Sequence, residues 1–363
     1  MKITQIDIRT VLIPRVMPKS FEIEGKWDLP AVIARVNTDA GIEGIGHAIT
    51  LMPEHTGSLA VLMAELGELL VGMDPRRTEA ISARMMYPAN WIGPGGLLNI
   101  AACALDVAVW DIVGKDAGQP LWRLLGGHAD RARVYESGGL ISPDIDSLKR
   151  AAEANLRLGY RAMKMRPGTQ RYARIPALVD YVREIREVIG PDIDLMLDIN
   201  QTWQPSRAIR AGRALEELEL FWIEDPVAMH DVDGQAAVAA ALDMPVCAGE
   251  YHYGVAPLLR LLQARAVDIL MVDLMRVGGI TPFRKVAAMA EAFGVPVASH
   301  LIPEIFASLI AAVPNGLIVE GMPWSADLFE GAPVLENGEL LLSERPGHGL
   351  SFNEGFISRN LAR

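Results

Sequence analysis

A series of acidic residues, each closing a short apolar run, constrains this chain more than any other feature. Asp198 ends Ile193-Asp194-Leu195-Met196-Leu197, Glu224 ends Phe221-Trp222-Ile223, and Glu250 follows Val246-Cys247-Ala248-Gly249. Two further runs, Ile269-Leu270-Met271-Val272 and Val295-Pro296-Val297-Ala298-Ser299, end at Asp273 and His300. Positions 198, 224, 250, 273 and 300 follow one another at 26, 26, 23 and 27 residues. That is one strand, one helix and two loops, the length of a single βα module. So even a period puts these side chains at one end of consecutive parallel strands. In a (β/α)₈ barrel that end is the C-terminal face, where active sites are built. Three carboxylates converging there repel one another unless a hard cation holds them, so Asp198, Glu224 and Glu250 read as metal ligands. Ligands that are all oxygen favour Mg²⁺, Mn²⁺ or Ca²⁺ over zinc.

The rest of the chain fits an α/β barrel carrying a second unit. Val134–Ser137, Ala162–Arg166 and Gly316–Glu320 supply the first, second and eighth strands, which puts the barrel at about 128–325. A barrel takes about 250 residues, and the chain has 363, half of them hydrophobic. The surplus lies mostly in 1–127, read as an α+β domain. Residues 2–13, 30–37 and 42–50 alternate as strands of an antiparallel meander, the last two joined by Thr38-Asp39-Ala40-Gly41. Helices are expected near 56–71, 77–87 and 96–115, the last apolar on most sides and therefore buried. Gly126-Gly127 marks the boundary. The charged stretch 14–29, with Lys19, Phe21, Glu22, Glu24, Lys26 and Trp27, is expected to be a loop and a lid over the site. The Gly- and Pro-rich tail, 326–363, is expected to return to the N-terminal domain.

Composition removes several function classes. The formal charge of −11, from 34 basic and 45 acidic residues, argues against nucleic acid or an anionic membrane as partner. The alternating start MKITQIDIRTVLIPR does not read as a signal peptide, and no apolar run is expected to span a bilayer. With only Cys103 and Cys247, a disulfide framework is not expected and a reducing cytoplasm is. Gly41-Ile42-Glu43-Gly44-Ile45-Gly46 is no dinucleotide fingerprint, because it sits in a hairpin and opens no helix.

The motifs in order are Ala108-Val109-Trp110-Asp111, Leu124-Leu125-Gly126-Gly127, Lys164-Met165-Arg166, Asp198-Ile199-Asn200, Glu224-Asp225-Pro226 and Ala248-Gly249-Glu250. Asp273-Leu274-Met275-Arg276-Val277-Gly278-Gly279-Ile280-Thr281 and His300 complete the set. Together they resemble the enolase superfamily, in its mandelate racemase-like branch that includes acid sugar dehydratases. The resemblance implies a capping domain formed by both termini on a modified barrel, and a homo-oligomer. It implies one Mg²⁺ per subunit on Asp198, Glu224 and Glu250, with Mn²⁺ as a substitute. It implies abstraction of the proton α to the carboxylate of a small substrate, through an enolate.

Roles for the remaining residues follow. Asp273 beside His300 suits a dyad in which the carboxylate fixes the imidazole tautomer and raises its basicity. Lys164, pointing inward beside the ligands, is expected to contact the substrate carboxylate or the enolate. Asn200 is read as a contact to substrate or to the ligands, and His252 as an exposed loop histidine. By resemblance, Glu320 would hydrogen-bond the substrate carboxylate from the side opposite the metal, as a neutral acid. Arg166 stands where the racemases of this branch carry a second lysine. An arginine is a poor base, so Arg166 is assigned to substrate binding. His300 is then the one clear proton-transfer group, which favours dehydration of an acid sugar or related 2,3-dihydroxy carboxylate to a 2-keto acid. The competing readings are a racemase or epimerase of a small α-substituted acid and, behind it, a non-catalytic binding protein.

Overall fold

The computed structural model describes residues 1–17, 25–141, 144–167 and 174–362. The N-terminal domain is built on a long hairpin. β1 (Ile3–Met17) and β2 (Gly25–Thr38) pair antiparallel from Ile3↔Thr38 to Met17↔Gly25, and β3 (Glu43–Ile49) lies on the other side of β2. Residues 14–17 and 25–29 are therefore strand, not the loop expected from their charge. Pro14 misled that reading, yet β1 is an edge strand, where a residue without an N–H is tolerated. The rest of the expected lid, 18–24, lies outside the described residues. Five helices follow: α1 (Thr56–Glu68), α2 (Thr78–Met85), α3 (Ala89–Ile92), α4 (Leu97–Asp116) and α5 (Leu121–Leu124).

α4 is the spine of this domain. Its length and mean hydropathy of 1.7 match those of a membrane span, contrary to the expectation from sequence, but 83% of that window is buried inside the protein. β3 packs on it without any side chain between: a Cβ at Gly44 or Gly46 would lie 2.0 Å from the carbonyl oxygen of Ala108 or Ala104. Gly44 and Gly46 thus serve a strand-on-helix contact, whereas Gly41 lies in the turn before β3 with φ of 74°. Two buried acids leave α4 in opposite directions. Asp106 accepts from the backbone N–H and hydroxyl of Thr281 (2.8 and 2.7 Å), and Asp111 accepts from Ile45 and His348 N–H groups and from Lys115.

The barrel alternates strand and helix: β4 (Arg131–Leu140), α6 (Ile145–Leu158), β5 (Ala162–Met165), α7 (Ile175–Ile189), β6 (Asp194–Asp198), α8 (Pro205–Leu215), β7 (Trp222–Glu224) and α9 (Val232–Ala239). It continues through β8 (Val246–Ala248), α10 (Val255–Gln263), β9 (Ile269–Asp273), the short α11 (Leu274–Val277), α12 (Ile280–Ala292), β10 (Val297–His300), α13 (Pro303–Ala312) and β11 (Gly316–Gly321). β11 pairs back onto β4 through Val319↔Val134, which closes the barrel. Period two decides which residues point inward. Met196, Trp222, Met271, Ala298 and Ile318 fill the interior, while Leu195, Leu197 and Ile223 pack outward against the helices. Two residues further along each strand, the inward position is Asp198, Glu224, Asp273, His300 or Glu320.

The tail adds β12 (Phe329–Glu330), β13 (Val334–Glu336), β14 (Glu339–Leu341), β15 (Ser351–Phe352) and α14 (Glu354–Asn360). β14 extends the barrel sheet antiparallel to β4, whereas Leu361 bridges Val11 and Glu354 pairs with Arg35.

Candidate active site

Register brings the predicted residues face to face. Asp198 pairs with Glu224 across β6–β7, and Asp273 with His300 across β9–β10. The backbone then turns off three strand ends with positive φ at non-glycine residues: Asn200 (47°) and Gln201 (63°), Asp225 (39°), Leu301 (55°) and Ile302 (47°). Such conformations are costly, most of all for a β-branched residue, and persist where the surroundings impose them. Here the Leu301 N–H is held by Glu320 Oε2 at 2.7 Å.

All nine predicted residues join one buried network. Lys164 Nζ lies 2.5 Å from Glu224 Oε1, 3.0 Å from Glu320 Oε1 and 3.8 Å from Asp198 Oδ2. Arg166 Nε donates to Asp198 Oδ2 (2.9 Å), which also accepts from the Asn200 amide (3.0 Å). His300 Nδ1 is 2.7 Å from Asp273 Oδ2, and its Nε2 faces Glu250 Oε2 at 3.3 Å and Glu320 Oε2 at 3.9 Å. Asp273 also caps α11 by accepting from the Arg276 N–H (2.8 Å), which fixes its orientation. With Asp273 as acceptor, Nδ1 carries the proton and Nε2 is left towards the cleft.

Charge balance sets the protonation states. Burial opposes the imidazolium of His300, but Glu250, Glu320 and Asp273 outweigh it and hold its pKa above the ordinary value. Burial likewise opposes the charged forms of Lys164 and Glu320, and their mutual attraction wins: the lysine is held well up and the acid well down. Glu320 accepts from Ser137 Oγ (2.6 Å) and lies between Lys164 and His300, surroundings that favour its charged form over the neutral acid expected from the sequence. Burial together with neighbouring carboxylates pushes Glu224 up, to about 8, and Asp225 well above the carboxylate range.

The cleft above this network encloses about 500 Å³ between the N-terminal domain and the barrel mouth. Arg166, Asn200, Glu250, Asp273 and His300 line it, whereas Asp198, Glu224, Lys164 and Glu320 lie beneath its lining. His252 is buried, not exposed, and is not among the lining residues. Sequence reasoning passed over Asp225, although it stands next to Glu224 in a quoted motif. One oxygen each of Glu224, Asp225 and Glu250 lie within 4.8 Å of one another. It also passed over Tyr251, whose hydroxyl is 3.4 Å from the Asn200 amide, and over Tyr253, in a loop, and His55, which ends the 3₁₀ turn Pro53–His55; both line the cleft.

Two family patterns match, the mandelate racemase/muconate lactonizing enzyme N-terminal domain over residues 3–126 and the enolase C-terminal domain-like family over 147–356. The chain belongs to the enolase superfamily. Within it, the chain is 31% identical to L-talarate/galactarate dehydratase of Salmonella typhimurium, covering 90% of this chain and 81% of the relative. It is 31% identical, over 89% of each, to 3,6-anhydro-alpha-L-galactonate cycloisomerase of Streptomyces coelicolor. The structure of L-talarate dehydratase from Polaromonas, complexed with Mg and L-glucarate, superposes with a TM-score of 0.92 at 31% identity. That match covers 100% of this chain and 98% of the other. The relatives include dehydratases, and this chain is an enzyme of their superfamily.

Proposed function

We propose that this protein is a Mg²⁺-dependent hydro-lyase that converts an acid sugar, or a related 2,3-dihydroxy carboxylate, to a 2-keto acid. The observation that carries the reading is the Asp273–His300 dyad, 2.7 Å apart at the edge of the cleft, with Arg166 in place of a second base. Asp198, Glu224 and Glu250 would hold the metal, and Asp225, whose carboxylate clusters with Glu224 and Glu250, is a further oxygen donor. The donor set fits a hard cation: it is all carboxylate, and Glu250 Oε2 and Asp225 Oδ2 are buried without hydrogen-bond partners. When bound, Mg²⁺ supplies positive charge against the substrate carboxylate and the negative charge that develops there as the α-proton leaves.

His300 Nε2 removes the α-proton while Asp273 keeps Nδ1–H in place. The imidazolium then delivers that proton to the departing 3-hydroxyl, so the C2–H and C3–O bonds break, C2=C3 forms and water leaves. The resulting enol tautomerises to the 2-keto acid. One group acting twice suffices for this elimination, whereas inversion at C2 needs an acid or base on each face. Arg166, held above even the ordinary arginine pKa despite burial by Asp198 and the other carboxylates, orients substrate and takes no proton. Lys164, locked among carboxylates, keeps the site's charge in balance and stabilises charge on the carboxylate end.

The isomerase reading keeps one support, the cycloisomerase relative. Incubating the Mg²⁺-loaded protein with a library of acid sugars in D₂O decides between them. A 2-keto product with deuterium incorporation supports dehydration, while inversion at C2 without loss of water overturns it. We take 1–127 as the cap, 128–325 as the barrel and 326–363 as the returning segment, supported by the Leu361–Val11 and Glu354–Arg35 contacts. A cytoplasmic location fits Cys103 and Cys247, both free and buried.

A further inference from the structure

We propose that the substrate carries hydrocarbon, not further hydroxyls, beyond its third carbon. This rests on the reading of the site as one for a 2,3-dihydroxy carboxylate and narrows it. Among the described residues, the charged groups of the cleft are concentrated on the barrel floor, where Arg166, Asn200, Asp273 and His300 would face the carboxylate, C2 and C3. The wall above them is apolar. The N-terminal domain contributes Ile49, Leu51, Met52, Leu97 and Ile100, and the segment after β11 contributes Met322 and Trp324.

This wall is fixed in place. The Ile49 N–H points at Met275 Sδ (3.5 Å), tying the cap side to the barrel side of the cleft. Arg15 Nε donates to the Trp324 carbonyl (3.0 Å), which anchors the segment behind it. Several polar groups that line the cleft are already engaged. The Thr50 hydroxyl meets Thr56 Oγ1 (3.0 Å), and Arg276 donates to the Glu250 carbonyl (2.8 Å) while its guanidinium lies over the Tyr251 ring (4.7 Å). Among the described residues, His55, Tyr251 and Tyr253 are the remaining polar side chains at the mouth, few against the several hydroxyls of a hexonate.

The energetics favour a hydrocarbon tail. A methylene placed in an apolar pocket is worth roughly 10–200-fold in specificity, and such a pocket disfavours an added hydroxyl by up to about 10²-fold. A polyhydroxylated acid would press several hydroxyls onto Ile49, Ile100 and Met322. A 2,3-dihydroxy acid with an alkyl or aryl tail loses none of its floor contacts and gains the wall.

The test compares kcat/KM of the Mg²⁺-loaded protein for 2,3-dihydroxyhexanoate and 2,3-dihydroxy-3-phenylpropanoate, as all four stereoisomers, with a full set of pentonates and hexonates. At least a tenfold preference for a hydrocarbon-tailed acid is expected; any pentonate or hexonate turned over equally well overturns the proposal. Leu51→Asn with Met52→Gln, both more than 40% exposed and so tolerated by the fold, should shift the ratio about tenfold towards the polyhydroxy acids. If no acid is dehydrated or exchanges its α-proton, the proposed function fails. The tail preference is then decided by calorimetry on the same loaded protein: 2-hydroxyhexanoate binding no tighter than gluconate overturns it.

Discussion

At the scale of single residues, the base assignment carries the most exposed prediction. His300→Asn should remove both turnover and α-proton exchange, a loss of at least ~10²–10⁴-fold. Asp273→Asn should cost about 10–100-fold, because the imidazole remains but loses its orienting carboxylate. Exchange at the wild-type rate in His300→Asn, followed by mass spectrometry in D₂O, would make another group the base. Arg166→Lys should keep some dehydration and add slow exchange from the second face, since a lysine there can lose a proton where an arginine cannot. The strand-end residues could be named from sequence because period-two alternation makes the residue after an apolar run the next inward position. Asp225 escaped because it follows Glu224 directly, and alternation alone assigns two adjacent residues to opposite faces. Only the positive φ at Asp225 turns its carboxylate to within reach of Glu224 and Glu250, and backbone dihedrals of that kind leave no trace in hydrophobic pattern.

Elements show a different division. Strand and helix order was legible because buried strands and amphipathic helices differ in period. The β1–β2 extension was not, since charge and Pro14 obscured an alternation that the pairing with residues 25–29 sustains. The contact of β3 with α4 yields two predictions. Gly46→Ala should cost more than ~2 kcal/mol, because its Cβ would meet the Ala104 carbonyl at 2.0 Å and backbone cannot yield as a side chain does. His47 on the same strand is buried with its ring 4.9 Å from that of Phe329, and burial, aided by His348, lowers its pKa to about 3. It therefore folds neutral while the unfolded chain binds a proton near 6.5. Its contribution to stability is complete above that value and is lost as pH falls from 6.5 towards 3, amounting to about 2 kcal/mol at pH 5. The urea midpoint of His47→Leu should fall less steeply than wild type between pH 6.5 and 4, and parallel curves would contradict this.

For the whole molecule, the site is a place where the fold concentrates like charge and depends on other groups to hold it. Asp198, Glu224, Asp225 and Glu250 converge from three consecutive strand ends, against the ammonium of Lys164 and the guanidinium of Arg166. Convergence from separate modules is what makes the metal reading possible from sequence. It also means that a cation bound there ties β6, β7 and β8 together and stabilises only the folded chain. The expected consequence is a thermal midpoint that rises with Mg²⁺, corresponding to about 2.7 kcal/mol at a hundredfold excess over Kd. Glu250→Gln separates this effect from ordinary packing. Glu250 Oε2 accepts no hydrogen bond but faces His300 Nε2 at 3.3 Å, so Glu250→Gln trades that attraction for relief from Glu224 and Asp225; the metal-free midpoint should move little while most of the Mg²⁺-dependent rise is abolished. Chelation should bring wild type to the level of the variant and stop turnover in parallel. A midpoint indifferent to saturating Mg²⁺, or full turnover after exhaustive chelation, would remove the cation from this site and leave the carboxylates to be explained by Lys164 and Arg166 alone.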